Sequence, residues 1–392
     1  MAGPEIPSAE SPETASVPGA SGPGAPVPPG PPLGRALKQL DETIRRLTAP
    51  KSLRGRGLGR TIGALAVTVG LFALLIVALG SSPGMAFDAM YTGSVGNSFN
   101  LGQTIMIASL LVCTGLGAAI PFRAHLWNVG GEGQMWFGAF CTMAIAFSLP
   151  ASTPRPLFIV ACVIAGMVGG AFWGFIPGVL KGLINANEVI TSLMMTFIAI
   201  ELGNWAIDGI WPQGSTNQTM NVPANTLLPN IWPNTLVTLG CLLALAAAVI
   251  AWVLMARTRL GFEIRAVGLN PNAARMNGMS TTRVAIMSFT LGGMFAGLAG
   301  AIFILGINGA LPAGFNGSNF GYLGIAVALL ARLSPAWTVP SAFLFAALME
   351  GSNGLQAQTG LSLTVGQILM AGFVVLLLAF RLIRFTYPEA VR

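Results

Sequence analysis

Apolar residues run through most of this chain in long blocks, and polar residues gather in short islands between them. Ten blocks read as spanning or membrane-embedded segments: about 61–80, 103–120, 133–149, 157–181, 188–208, 236–255, 284–305, 319–333, 338–352 and 364–381. About 20 apolar residues in helical form cross the hydrocarbon layer, so 133–149, 319–333 and 338–352 are short for a full crossing. Backbone polar groups inside lipid must pair within the protein, and runs of this length do so as helices. The pattern predicts an all-α, polytopic membrane protein of about ten transmembrane segments, with the membrane domain over 61–385.

The ends are different in kind. Residues 1–34 hold ten of the 26 prolines, with Gly, Ser and Ala filling most of the rest, and are expected to be a disordered tail. The tail lacks a basic start followed by an apolar core, so it does not read as a signal peptide. Residues 35–60 are basic, with Leu37, Leu40, Ile44 and Leu47 at helical spacing; they read as an amphipathic juxtamembrane helix on the membrane surface. Residues 386–392 read as a short tail.

The polar stretch 256–283 interrupts the apolar blocks most sharply. Asn270 is a good helix N-cap and Pro271 suits the first helical position. Gly278 is placed to end the helix in a left-handed conformation. A capped helix of about two turns between two spans is a rigid, solvent-exposed feature suited to docking a partner, although an ordinary loop would read the same way.

Composition supports the membrane assignment. Only 8% of residues are charged, against about 25% in soluble domains, and 54% are hydrophobic. The 50 glycines suit closely packed membrane helices. The net charge of +7 does not indicate nucleic acid, because the cations flank the membrane segments instead of gathering with aromatics. Cys113, Cys141, Cys162 and Cys241 lie in or beside apolar blocks without CxxC spacing, and the sole histidine, His125, cannot form a metal site by itself.

Charge also orients the chain. With a cytoplasmic N-terminus and one crossing per segment, 19 of the 20 Lys and Arg residues fall inside and only Arg155 falls outside. Both termini and the 256–283 island are then cytoplasmic. The outside loops at about 81–102 and 209–235 carry no Lys or Arg.

Polar groups within the apolar blocks are costly and mark function by default. Asn128, Glu132 and Gln134 stand among glycines at 126–136, where a broken helix could line a cavity; a solvated cytoplasmic turn is the alternative. Asn187, Glu188 and Thr191 open the fifth block, where capping alone could explain Asn187 and Glu188. A third cluster at 314–324 includes Phe315, Asn316 and Asn319. Glu201 and Glu350 are acids within or at the end of blocks. The stretches 126–140 and 314–328 are loosely alike and lie five segments apart, which suggests an inverted repeat of segments 2–5 and 7–10. The sequence holds no GxxxxGK[ST] phosphate loop, no Ser/His/Asp set and no carboxylates at catalytic spacing. Energy for any pumping must come from an ion gradient or from a partner, which leaves a gradient-driven secondary transporter, a channel and a partner-driven permease in view.

Three motifs carry a resemblance to a known family. They are Pro-Phe-Arg-Ala-His-Leu-Trp-Asn-Val-Gly-Gly-Glu-Gly-Gln at 121–134, Asn-Glu-Val-Ile-Thr-Ser-Leu-Met-Met at 187–195, and Gly-Phe-Glu-Ile-Arg-Ala-Val-Gly-Leu-Asn-Pro-Asn-Ala-Ala-Arg-Met-Asn-Gly-Met at 261–279. Together they resemble the inner-membrane permeases of bacterial ABC importers of the branched-chain amino acid and ribose class. The nearest branch imports nucleosides with a lipoprotein receptor of the basic-membrane-protein type. The third motif is the most specific, with Gly261, Arg265, Gly268, Asn270, Pro271, Ala274 and Gly278 in place. The first departs mildly: the family commonly has Phe-Asn-Ile-Gly where this chain has Trp127, Asn128, Val129 and Gly130.

The resemblance covers about 60–385 and implies a half-transporter. A cytoplasmic ATPase with two cassettes would bind the ATP, so this chain would need no cofactor and would not be an enzyme. A second permease, often non-identical, would complete the pore, and a receptor lipoprotein would deliver a small polar solute, with a ribose-type sugar as the alternative to nucleosides. The 256–283 loop would be the coupling element, with Gly261, Arg265, Gly268, Leu269, Asn270, Pro271, Ala274, Arg275, Met276 and Gly278 at the ATPase. Trp127, Asn128, Glu132, Gln134, Asn187, Glu188, Thr191, Phe315, Asn316 and Asn319 would line the substrate path.

Overall fold

A computed structural model of the chain describes residues 67, 69–150, 152–214, 217–313, 319–372 and 375. The expected N-terminal tail, the juxtamembrane helix, the C-terminal tail, Phe315 and Asn316 lie outside the described residues. Among the described residues the chain is helical, with isolated bridges and no strands.

In chain order the helices are α1 (Val69–Ala78), α2 (Pro83–Ser94), α3 (Ser98–Arg123), α4 (Gly131–Ser148), α5 (Arg155–Ile184) and α6 (Glu188–Trp205). They continue with α7 (Gly240–Arg257), α8 (Arg259–Leu269), α9 (Pro271–Met276), α10 (Thr281–Phe303), α11 (Phe320–Leu330), α12 (Pro335–Thr359) and α13 (Leu363–Gly372). Single π-helical turns extend α6 to Ile210 and α10 to Asn308. Among the described residues five helices are long and apolar enough to cross a membrane: α3, α5, α7, and α6 and α10 with their extensions. The α1–α2 pair is bent by 114° and gives a sixth if taken as one span. The chain is a polytopic all-α membrane protein.

Two elements differ from the sequence expectation. Helix α2 occupies part of the stretch read as an outside loop, packed on α12 where Gly93 meets Gly354. The 256–283 island holds two helices, α8 and α9, where one was expected. The cause of α8 is local: the Thr258 side chain accepts the Gly261 N–H at 3.1 Å, and Ile264 and Val267 are buried on one face. Helix α9 starts and ends as its residues dictate. Asn270 Oδ1 accepts from the Asn272 and Ala273 amides at 3.1 and 3.0 Å, Pro271 is the first helical residue, and Gly278 has φ +77°.

Helix α10 forms the centre, against α3, α4 and α5. Glycines make this approach possible. A Cβ on Gly297 would stand 2.2 Å from Gly166 O, and one on Gly170 would stand 2.3 Å from Gly293 O. On a third side, Gly117 of α3 meets Gly292. Backbone-to-backbone packing of this kind replaces the hydrophobic effect, which does not drive association between helices already in lipid.

The packing pattern has an internal correspondence. Helix α3 touches α11 and α12, while α10 touches α4 and α5; in addition α3 touches α10, and α4 touches α11. Outside this bundle, residues 217–222 fold back on 309–313 through the bonds Thr219 N to Leu311 O (3.0 Å) and Val222 N to Gly309 O (2.8 Å).

Gly297→Ala is expected to destabilise the detergent-solubilised protein by about 2 kcal/mol through overpacking. Gly372→Ala, where an added Cβ meets nothing within 4 Å, is the control and should unfold at the wild-type temperature.

Candidate functional site

The polar cluster at 126–136 is built at the N-terminal end of α4. Helix α3 ends at Arg123, and His125 turns the chain with φ 55°. Asn128 is completely buried. Its amide exchanges bonds with that of Gln134, Nδ2 to Oε1 at 3.0 Å and Nε2 to Oδ1 at 3.2 Å, and it also accepts the Gly130 N–H at 3.1 Å. The two amides thus satisfy each other across the start of the helix. Val129 N–H donates to Ser192 Oγ on α6 at 3.2 Å, and Gly130 and Gly133 let α4 lie directly on Ser192 and Thr196.

Glu132 is only 2% exposed, so it is not a solvated turn residue. One carboxylate oxygen accepts the Trp136 indole N–H at 2.9 Å. The other accepts the backbone N–H of Gly321, the second residue of α11, at 2.5 Å. Helix α11 begins with Asn319 in a left-handed conformation (φ 43°), with neither a side-chain cap of its own nor a proline in its first turn. Glu132 therefore caps α11 from another helix, placing negative charge at the positive end of the helix dipole. Gly321 allows this approach, since a Cβ there would stand 2.1 Å from Glu132 N. Next to it, Thr114 of α3 donates to Phe320 O at 3.0 Å. The ring of Phe320 lies 6.3 Å from Phe303, which in turn packs edge-on to Trp136 at 5.3 Å.

The remaining path residues that the structure describes lie nearer the surface. Trp127 is 51% exposed and packs its ring on Phe122 at 4.8 Å. Asn187 is exposed and caps α6, accepting from the Val189 and Ile190 amides at 3.0 and 3.2 Å. Glu188 pairs with Lys181 at 3.0 Å. Thr191 donates to Asn187 O at 3.1 Å, and Asn319 is exposed. Asn128, Glu132, Gln134 and α11 thus come together, whereas Asn187, Glu188 and Thr191 are engaged at the start of α6.

The α8–α9 corner is exposed and apolar at its tip. Leu269 is 86% exposed and Met276 is 90% exposed, on either side of the Asn270 cap. Gly261, Gly268 and Ala274 are buried beneath them; Gly261 lies on Leu254 O and Gly268 on Arg123 O. Arg265 is half-buried, and Arg275 donates to Thr281 Oγ1 at 3.0 Å. Sequence reasoning missed the bond from Arg123 Nε to Leu333 O at 2.7 Å, for which Arg123 gave no signal beyond its charge. No group of three or more metal-ligating side chains exists among the described residues.

Residues 100–378 match the family described as the branched-chain amino acid transport system, permease component. The chain belongs to this permease family. NupB of Lactococcus lactis subsp. cremoris, a nucleoside ABC transporter permease, is 32% identical over 330 residues, covering 82% of this chain and 90% of that protein. NupP of Bacillus subtilis, a guanosine ABC transporter permease, is 33% identical over 332 residues, 82% of this chain and 93% of that protein. TsgB13 of Haloferax volcanii, a glucose ABC transporter permease, is 35% identical over 331 residues, 80% of this chain and 84% of that protein. Each of these organisms also holds a second, more distant permease similar to this chain, at 26%, 23% and 27% identity respectively. The chain is a multi-pass permease of the ABC importer type.

Glu132→Ala removes the acceptor of the Gly321 and Trp136 bonds and is expected to cost about 3 kcal/mol, while Glu132→Gln keeps the shape, loses the charge and costs about 1 kcal/mol. Thermal unfolding in detergent measures both. A Glu132→Ala shift no larger than that of Glu188→Ala would remove the cross-helix cap from the account.

Proposed function

We propose that this chain is one permease subunit of an ATP-driven importer of nucleosides in the bacterial inner membrane. It works with a separate ABC ATPase, a second, non-identical permease and a substrate-binding lipoprotein. The observation that carries the coupling to ATP is the α8–α9 corner. Two large apolar side chains, Leu269 and Met276, project into solvent from a rigidly capped turn, with Arg275 in the last turn of α9. Exposed apolar groups on a stiff mount fit a partner's groove better than they fit water. Packing through Leu269 and Met276 supplies the affinity in this reading, and the arginines supply orientation.

The ten-segment topology with both termini in the cytoplasm is supported by the distribution of cations. The inverted repeat of segments 2–5 (α3–α6) and 7–10 (α10–α13) is supported by the packing correspondence, since exchanging α3 with α10, α4 with α11 and α5 with α12 turns the α3–α11 and α3–α12 contacts into the α10–α4 and α10–α5 contacts. The short helices α4 and α11, from corresponding places in the two repeats, meet at the Glu132–Gly321 bond. In this reading Trp127, Asn187, Glu188, Thr191 and Asn319 face the path, and Asn128, Glu132 and Gln134 hold its wall from behind. ATP-driven closure of the partner pushes the corner and rocks the repeats between outward- and inward-facing states.

Nucleosides are favoured by the two relatives that carry that substrate in their names. Glucose is the second reading, favoured by the Haloferax volcanii permease.

The complex of this chain with its ATPase, second permease and receptor, reconstituted in vesicles, should take up guanosine only with ATP. Competition by glucose but not by adenosine would favour the sugar reading, and uptake by this chain alone on a proton or sodium gradient would overturn the importer. Leu269→Glu with Met276→Glu should weaken ATPase binding at least about tenfold, roughly 1.4 kcal/mol, without preventing membrane insertion. Arg265→Glu or Pro271→Gly should leave insertion intact and lower the solute moved per ATP.

A further inference from the structure

We infer that Arg123 is the positioning residue that passes movement of the α8–α9 corner to the turn between α11 and α12. This inference rests on the importer reading and goes beyond it by naming the route. Arg123 ends α3 and is engaged from both sides. On one side its backbone carbonyl meets Gly268, the penultimate residue of α8. A Cβ on Gly268 would stand 2.0 Å from that oxygen, so the two backbones touch with no side chain between them to absorb a displacement. On the other side its guanidinium Nε donates to Leu333 O at 2.7 Å.

The turn that receives this bond is strained. Arg332 and Leu333 both have left-handed backbones, φ 54° and 57°, a conformation unfavourable for a non-glycine residue. The turn is closed by Leu333 N to Ala328 O at 2.8 Å and Arg332 N to Leu329 O at 3.1 Å. The Leu333 side chain also packs against the apolar cluster formed by Ala118, Ala119 and Phe122 of α3 with Ala328 of α11. Strain held by a surrounding grip is released when the grip moves.

Helix α11 is therefore fastened at both ends. Its N-terminus is bonded to Glu132 of α4, and the turn at its C-terminus is bonded to Arg123 of α3. At 11 residues it is a rigid rod of about 16 Å. A push on Leu269 moves Gly268, then the Arg123 backbone, then the Leu333 turn. Helix α11 pivots about the Glu132 bond, and Asn319 lies at that pivot. The end of α3 so links the ATPase-facing corner to the α11–α12 turn of the other repeat, beside the corner's own packing on the start of α10.

The test uses the full reconstituted complex and reads ATPase binding, ATP hydrolysis and solute moved per ATP separately. Arg123→Ala is expected to bind the ATPase within about twofold of wild type and to hydrolyse ATP at the basal rate, while solute moved per ATP falls at least about tenfold. Gly268→Ala should lower the same ratio. Because the two sites act in series, the double variant should lower the ratio no further than the poorer single one. Should Arg123→Ala fail to fold, Arg123→Lys retains the charge and lacks the Nε–H, and its ratio should also fall. An unchanged ratio in the folded Arg123 variant, or additive losses, overturns the relay while leaving the importer intact. A wild-type complex whose uptake is independent of ATP overturns the importer reading itself.

Discussion

A helix that begins in a closely packed interior leaves backbone N–H groups in need of acceptors, and the fold of this permease depends on how that need is met. Helix α11 begins without a cap of its own, and the Glu132 carboxylate of α4 accepts the Gly321 N–H. The same bond satisfies a buried charge and a helix end, two groups that would each be costly alone. Trp136 holds the second oxygen, and the Asn128–Gln134 amide pair closes the turn that presents Glu132. A polar cluster in the apolar interior is thereby an assembly of mutually satisfied groups that fixes where two short helices meet.

Glycine makes that meeting possible. Gly321 lies on Glu132, Gly133 on Thr196, and Gly297 and Gly170 on each other's helices around α10. In lipid, where burial of apolar side chains brings no net gain between helices, close backbone approach supplies the attraction through dispersion and weak polar contacts. The result is a bundle whose centre is closely packed and whose outer helices α5, α6 and α7 keep large apolar faces for lipid or for a partner.

The exposed α8–α9 corner obeys the opposite rule. Its helices are anchored by buried Ile264, Val267 and Ala274, yet they leave Leu269 and Met276 in solvent. Local capping and packing stiffen a surface that is apolar at its tip. The same corner rests on the end of α3, where Arg123 reaches the α11–α12 turn, so one residue touches both the stiff exposed element and that turn.

What the residues determined alone was everything governed by short range or by the solvent. The apolar blocks announced the long apolar helices. Asn270, Pro271 and Gly278 foretold α9, and Asn187 foretold the start of α6, because a cap acts within three or four residues of itself. The motifs at 121–134, 187–195 and 261–279 carried the family, as the match over 100–378 shows. Helix α2 was not legible, because its place depends on meeting Gly354 across the fold. Only the tertiary structure decided whether Glu132 was solvated or buried, since its partner lies 189 residues away, and only it paired Arg123 with a carbonyl 210 residues away. Such pairings are set by which helix ends the packing brings together. A carboxylate beside glycines states a need for a partner, and the fold alone names the partner that meets it.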